Sequence, residues 1–148
     1  MRVLVLYDTV HGNTEQVANA IADGLGAEVD VKRMANAGPD DLLAAELVVA
    51  GCPTHAWNVS ASAKAFLARL KGMSFAGKPA ATFDTRFRGR FTGSAARKLA
   101  GALAKAGFHT VADPESFFVA GMQGPLREGE LDRAREFGER LSSHSGSA

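Results

Sequence analysis

The segment Tyr7-Asp8-Thr9-Val10-His11-Gly12-Asn13-Thr14 gathers hydroxyl, imidazole, glycine and amide groups between an apolar run (Val3, Leu4, Val5, Leu6) and a helical pattern that begins at Asn13. At a strand-to-helix turn of this kind the free N–H groups of the first helical turn and the helix dipole both favour an anion. Thr9, Asn13 and Thr14 add side-chain donors to the backbone ones, with Val10 and Gly12 between them. A hydrogen bond to a charged group contributes about 1.5–3 kcal/mol, so three or four hold a phosphate monoester without a salt bridge. That matters because the loop carries no Lys or Arg. A protonated imidazole at His11 would steady a phosphate, or else the ring points to solvent. Neither the P-loop pattern G-x-x-x-x-G-K-[ST] nor the dinucleotide fingerprint G-x-G-x-x-G follows the first strand.

Such a loop needs a strand before it and a helix after it, and the rest of the chain repeats that alternation. Residues 2–7 and 47–51 are continuous apolar runs, as expected of parallel strands buried on both faces. Residues 28–32 alternate instead, with Val29 and Val31 against Asp30 and Lys32, and read as an edge strand. Residues 80–83 read as the fourth strand and 117–120 as the fifth, with 108–111 a possible prelude. Helical spacing runs over 13–25, 62–70, 94–106 and 128–141. The core faces expected there are Val17, Ile21 and Leu25; Phe66, Leu67 and Leu70; Ala96, Leu99 and Leu103; and Leu131, Ala134, Phe137 and Leu141. Ser94 reads as an N-cap and Gly107 as a stop. Alternating strands and helices imply an α/β doubly wound parallel sheet with helices on both faces, whose ligands sit beyond the carboxyl ends of the strands.

Composition bounds the rest. The 148 residues, 46% hydrophobic, suit one domain with a single core, the tail 142–148 frayed. No apolar run approaches a membrane span and no signal peptide is evident, so a cytoplasmic protein is expected. The lone Cys52 forms no internal disulfide and reads as a small packed side chain. A net charge of +1 argues against broad binding to nucleic acid or membrane. Residues 85–112 nevertheless carry six Lys or Arg and no carboxylate, so one region of the surface is expected to be positive.

The stretch from Val5 to Thr14, with Ala18 and Ile21 downstream, resembles the flavodoxin signature, whose T-x-x-G-N-T-type loop wraps the phosphate of FMN. The resemblance implies the strand order 2-1-3-4-5 and, with only a short stretch between Val111 and Phe117, the short-chain type. It also gives roles to two further loops. Pro53, Thr54, His55, Ala56, Trp57 and Asn58 correspond to the second flavin-contacting loop, in which His55 and Trp57 compete to stack on the ring. His55 is otherwise a proton relay or a solvent-exposed side chain, and Trp57 a cap on the core. Asp84, Thr85, Arg86, Phe87 and Arg88 correspond to the third, with Phe87 the candidate second wall. Flavodoxins that carry electrons are usually acidic around the flavin edge, whereas Arg86, Arg88 and Arg90 reverse that sign. Positive charge favours a flavin reduced to its anion, so a less reducing carrier is expected.

These readings imply an FMN-binding electron carrier working with redox partner proteins, with no catalytic or metal-ligating residue. The alternatives are an FMN-dependent NAD(P)H:quinone-type oxidoreductase, for which the chain shows no insertion to shape a substrate pocket, and a flavin-free interaction module. A receiver-type signalling domain fails, because strand one offers only Asp8 and strand three leads into Gly51-Cys52-Pro53. Nucleic-acid binding finds little support in one short Arg/Phe loop.

Overall fold

The computed structural model describes residues 2–26, 28–54, 59–87, 93–121 and 123–145. Five positions of a parallel sheet run in the order β2 (Val29–Arg33), β1 (Val3–Tyr7), β3 (Leu47–Pro53), β4 (Pro79–Phe87) and a shared edge. The sequence reading puts 117–120 at that edge, with 108–111 as a prelude. Here the edge is two short strands, β5 (His109–Thr110) beside Pro79 and Ala80, and β6 (Glu115–Val119) beside residues 83–87. Pro114 falls in the interruption, where it has no N–H to offer a ladder.

Successive residues of each central strand feed opposite layers, which is why those strands read as unbroken apolar runs. Leu4, Leu6, Val48 and Ala50 pack under α2 (Pro39–Ala44), α3 (Ala61–Arg69) and α4 (Ala95–Lys105). Val3, Val5, Val49 and Phe83 pack under α1 (Asn13–Leu25) and α5 (Glu130–Ser145). Among the described residues no helix is long and apolar enough to cross a membrane.

Three elements differ from the sequence reading. The short α2 is unforeseen although its signals are local: Pro39 at the first position, and Asp41 reaching back to accept from the Gly38 N–H at 2.9 Å. That N–H, and then Lys32 at 3.0 Å, hold the Asp41 carboxyl below its ordinary value. Leu131 is 42% exposed rather than buried. Glu130 takes the inward place, because its carboxylate accepts from the Phe118 N–H at 2.7 Å and from Arg133 at 2.6 Å, joining α5 to β6. α5 also continues through Ser145, so the expected frayed tail is helical as far as it is described.

α1 and α5 meet backbone to backbone. A Cβ on Gly138 would fall inside the contact radius of the Ile21 carbonyl oxygen, and one on Gly24 inside that of Arg135. Neither carbonyl can retreat without breaking its helix. Gly138→Ala is therefore expected to lose about 1–3 kcal/mol in a urea melt despite the better helix propensity of alanine.

Candidate functional site

The helices leave the carboxyl edge of the sheet, and two of them, α1 and α4, start beside the loops singled out by sequence. Their amino ends are finished in opposite ways. The first three N–H groups of α4 are all taken by protein oxygens: Ala95 donates to Thr54 Oγ1 at 3.0 Å, Ala96 to Asp84 Oδ2 at 3.0 Å and Arg97 to Ser94 Oγ at 3.4 Å. Ser94 Oγ also donates to Asp84 Oδ2 at 2.8 Å. Asp84 is 0% exposed, so a whole carboxylate has been drawn into the fold to serve that helix end.

Its second oxygen, Oδ1, is buried without a hydrogen-bond partner and lies 3.9 Å from Arg86 Nε. Arg86 in turn donates to Ser116 Oγ at 3.0 Å and to the Gly93 carbonyl at 2.9 Å, its guanidinium over the Phe118 ring. These contacts explain why β4 runs on to Phe87, whereas the apolar pattern ends at residue 83. Asp84 to Phe87 are strand residues, not loop residues. Asp84 and Arg86 face α4, and Thr85 faces α1.

Among the described residues, the amino end of α1 has no such filling. Its cap is Gly12 at φ 89°, with no side chain to offer and nothing within 4 Å of where a Cβ would stand. The helix ladder begins only with the Gln16 N–H on the Gly12 carbonyl, at 3.2 Å. The N–H groups of Asn13, Thr14 and Glu15 have no intrahelical acceptor, as at every helix start. Thr9 Oγ1 accepts from the Gly12 N–H at 2.9 Å, which shapes the loop and leaves the hydroxyl proton to donate elsewhere. Val10 and His11 lie exposed on the rim.

The donor set fits a phosphate monoester: backbone N–H groups, a hydroxyl and a positive dipole. Glu15, in the first turn, is engaged by the Tyr7 hydroxyl at 2.6 Å. That bond, and then burial, raise the Tyr7 phenol above its ordinary value.

Two of the three expected side-chain donors are tied to the scaffold. Asn13 Nδ2 donates to the Gln123 carbonyl at 3.2 Å, and its amide packs against Gly124, so the turn before α5 braces the loop. Thr14, 1% exposed, shares a 2.8 Å hydrogen bond with Thr85 Oγ1 that joins α1 to β4. No local signal announces either contact, since the partners lie 110 and 71 residues away. Pro53 ends β3 half-buried and Phe87 ends β4 at 37% exposure. Cys52 is packed in the core, where burial pushes its thiol up to about 12. His55, Ala56, Trp57, Asn58, Arg88 and Arg90 lie outside the described residues. The charge argument made for Arg86 needs correction: its guanidinium is spent on Ser116, Gly93 and the buried Asp84. Among the described residues no group of His, Cys, Asp and Glu side chains is placed to hold a metal.

Comparison with known proteins agrees with this geometry. The flavodoxin family model matches residues 5–141. An NAD(P)H dehydrogenase (quinone) of Azorhizobium caulinodans is 31% identical over 51% of this chain and 50% of its own length. The coenzyme F420H(2) oxidase of Methanothermobacter marburgensis is 31% identical over 96% of this chain but 35% of its own. The chain thus spans half or less of these curated relatives. Oxidised flavodoxin 2 from Bacillus cereus superposes with a TM-score of 0.85 at 22% identity, over 97% of this chain and 99% of that one.

Removing the Asp84 carboxylate strands the Ala96 N–H and leaves Arg86 without its counter-charge. Asp84→Ala is expected to destabilise the fold by about 3–5 kcal/mol, the usual consequence of breaking a buried pair, read as a lower urea midpoint at unchanged slope.

Proposed function

Because the chain belongs to the flavodoxin family, we propose that it binds FMN at the open amino end of α1 and carries electrons between redox partner proteins. The observation that carries this reading is the contrast between the two helix ends. α4 has oxygens from Thr54, Asp84 and Ser94 on its first N–H groups, whereas α1, among the described residues, is capped only by a glycine with open space before it. A fold that draws in a carboxylate to finish one helix and leaves its neighbour bare keeps the bare one for an external anion.

In this reading Thr9, Val10, His11, Gly12, Asn13 and Thr14 surround the phosphate. Backbone amides and the Thr9 hydroxyl grip it; Asn13 and Thr14 hold the loop in shape through Gln123 and Thr85. Residues 53–58 and 84–88 flank the ring, Thr54, Asp84 and Arg86 acting as its frame through α4 and β6. Bound FMN would supply the one- and two-electron chemistry. The protein's part is to bind it, keep the phosphate dehydrated and leave a ring edge for exchange. A reducing, cytoplasmic setting accords with a single buried thiol, Cys52.

The second reading, an FMN-dependent oxidoreductase, is favoured by the relatives named NAD(P)H dehydrogenase (quinone), of which this chain spans about half. Flavin-loaded protein assayed with NADPH and a quinone separates the two. A carrier turns over only when a reductase is added.

Fluorescence titration tests the site itself. FMN is expected to bind at least about 100-fold more tightly than riboflavin, which lacks the phosphate, because two or more charge-assisted bonds are lost. Thr9→Val is expected to weaken FMN by about 10- to 150-fold and to leave riboflavin unchanged. Equal affinity for the two flavins would overturn the proposal.

A further inference from the structure

The net charge of +1 conceals a separation. Residues 54–112 hold ten Lys or Arg and one carboxylate, Asp84, which is buried; the remaining residues hold seven and fifteen. The fold gathers much of this positive charge on the α3 and α4 part of one face, whose third helix, α2, carries Asp40 and Asp41. α3 and α4, which share one core cluster on one side of the sheet, contain no Asp or Glu at all. α1 and α5, on the other side, carry Glu15, Asp23, Glu130, Asp132, Glu136 and Glu139.

The placement of charge within the helices is the stronger clue. α1, α2 and α5 each have an acid in the first turn, as the helix dipole favours. α3 and α4 have none. Lys64 stands in the first turn of α3, and Arg97 and Lys98 in that of α4, where a cation opposes the dipole. All three are exposed and form no ion pair among the described residues. Local rules of this kind are broken where function requires it. Both helix starts lie at the carboxyl edge of the sheet, beside the loops that flank the proposed ring. The uncharged exposed residues of α3 and α4 are Ala61, Ser62, Ala65, Ala68, Gly101 and Ala104. Among the described residues, the surface that α3 and α4 put between the cations is therefore low and offers no aromatic ring for a nucleic-acid base to stack on.

We infer that the amino ends of α3 and α4 form a docking surface, built on Lys64, Arg97 and Lys98, for a redox protein whose own electron-exchange edge is rich in carboxylates. That the partner is a redox protein rests on the flavin reading above; the charge of its surface does not. One electron passes between the partner's centre and the flavin, and no bond is made. Small, polar, salt-sensitive contact is the usual form of such encounters.

The test uses two probes, a carboxylate-rich plant-type ferredoxin and a lysine-rich cytochrome c, with binding measured by calorimetry or NMR on flavin-free and flavin-loaded protein. The ferredoxin should bind at low salt and weaken at least about tenfold once the Debye length falls below about 10 Å, while cytochrome c should not bind. Joint replacement Lys64→Glu, Arg97→Glu and Lys98→Glu should weaken ferredoxin binding at least about tenfold at low salt. This variant places acids where the dipole favours them, so it should fold at least as well as the parent, and FMN affinity should not change. Lys105→Glu, in the last turn of α4, should leave ferredoxin binding unaltered. The inference is overturned if ferredoxin binding ignores salt or the triple replacement, or if single-stranded DNA or phosphatidylserine vesicles bind more tightly than ferredoxin and lose that binding in the variant. Failure to take up FMN with ferredoxin binding intact would sink the preceding section and spare the surface. The converse result would do the opposite.

Discussion

A helix start needs acceptors for its first N–H groups, and the way this chain meets that need at α4, and leaves it unmet at α1, organises the whole carboxyl edge of the sheet. Asp84 sits at the centre. One oxygen receives Ala96 and Ser94, and the other lies 3.9 Å from the guanidinium of Arg86. Through Arg86 the same network reaches Ser116 on β6 and the carbonyl of Gly93. With Thr54 on Ala95, the ends of β3 and β4 and the start of α4 form one interlocked block. Thr85 extends it to α1 through the buried hydroxyl pair with Thr14. The uncapped turn at Gly12 is thus rigidly mounted although its own ligating groups are open, which is the arrangement a preorganised anion site requires.

Electrostatics follow the same division of labour. The buried Asp84 is the one carboxylate in a long basic stretch, and it neutralises locally the arginine that would otherwise bear on the ring. Among the described residues, much of the exposed positive charge of that stretch stands on α3 and α4. There it acts over distances set by salt rather than on the cofactor pocket. In the proposed docking, a basic surface would stand where electron-carrying members of the family usually present an acidic one.

The strand-to-helix turn before α1, the main strands and the two-faced core were legible in sequence because each is written in adjacent residues. Examples are the Thr9 to Thr14 run, the unbroken apolar strands β1 and β3, and the alternating edge strand β2. What escaped was set by distant partners. β4 outruns its apolar pattern because Asp84, Thr85 and Arg86 find α4, Thr14 and β6. Leu131 yields its inward place to Glu130 because Phe118 needs an acceptor. Asn13 is held by Gln123, and no spacing near Asn13 hints at it. α2 is the exception, since Gly38-Pro39-Asp40-Asp41 carried a helix start in plain view and only its brevity hid it.

The most direct measurement is a two-dimensional amide NMR titration of the flavin-free protein with FMN, repeated with inorganic phosphate. The account predicts saturable shifts for both ligands centred on the amides of Gly12, Asn13, Thr14 and Glu15, with those of Ala95, Ala96 and Arg97 unmoved by phosphate. Phosphate-induced shifts concentrated at the start of α4, or FMN-induced shifts that leave the Gly12 turn untouched, would contradict it.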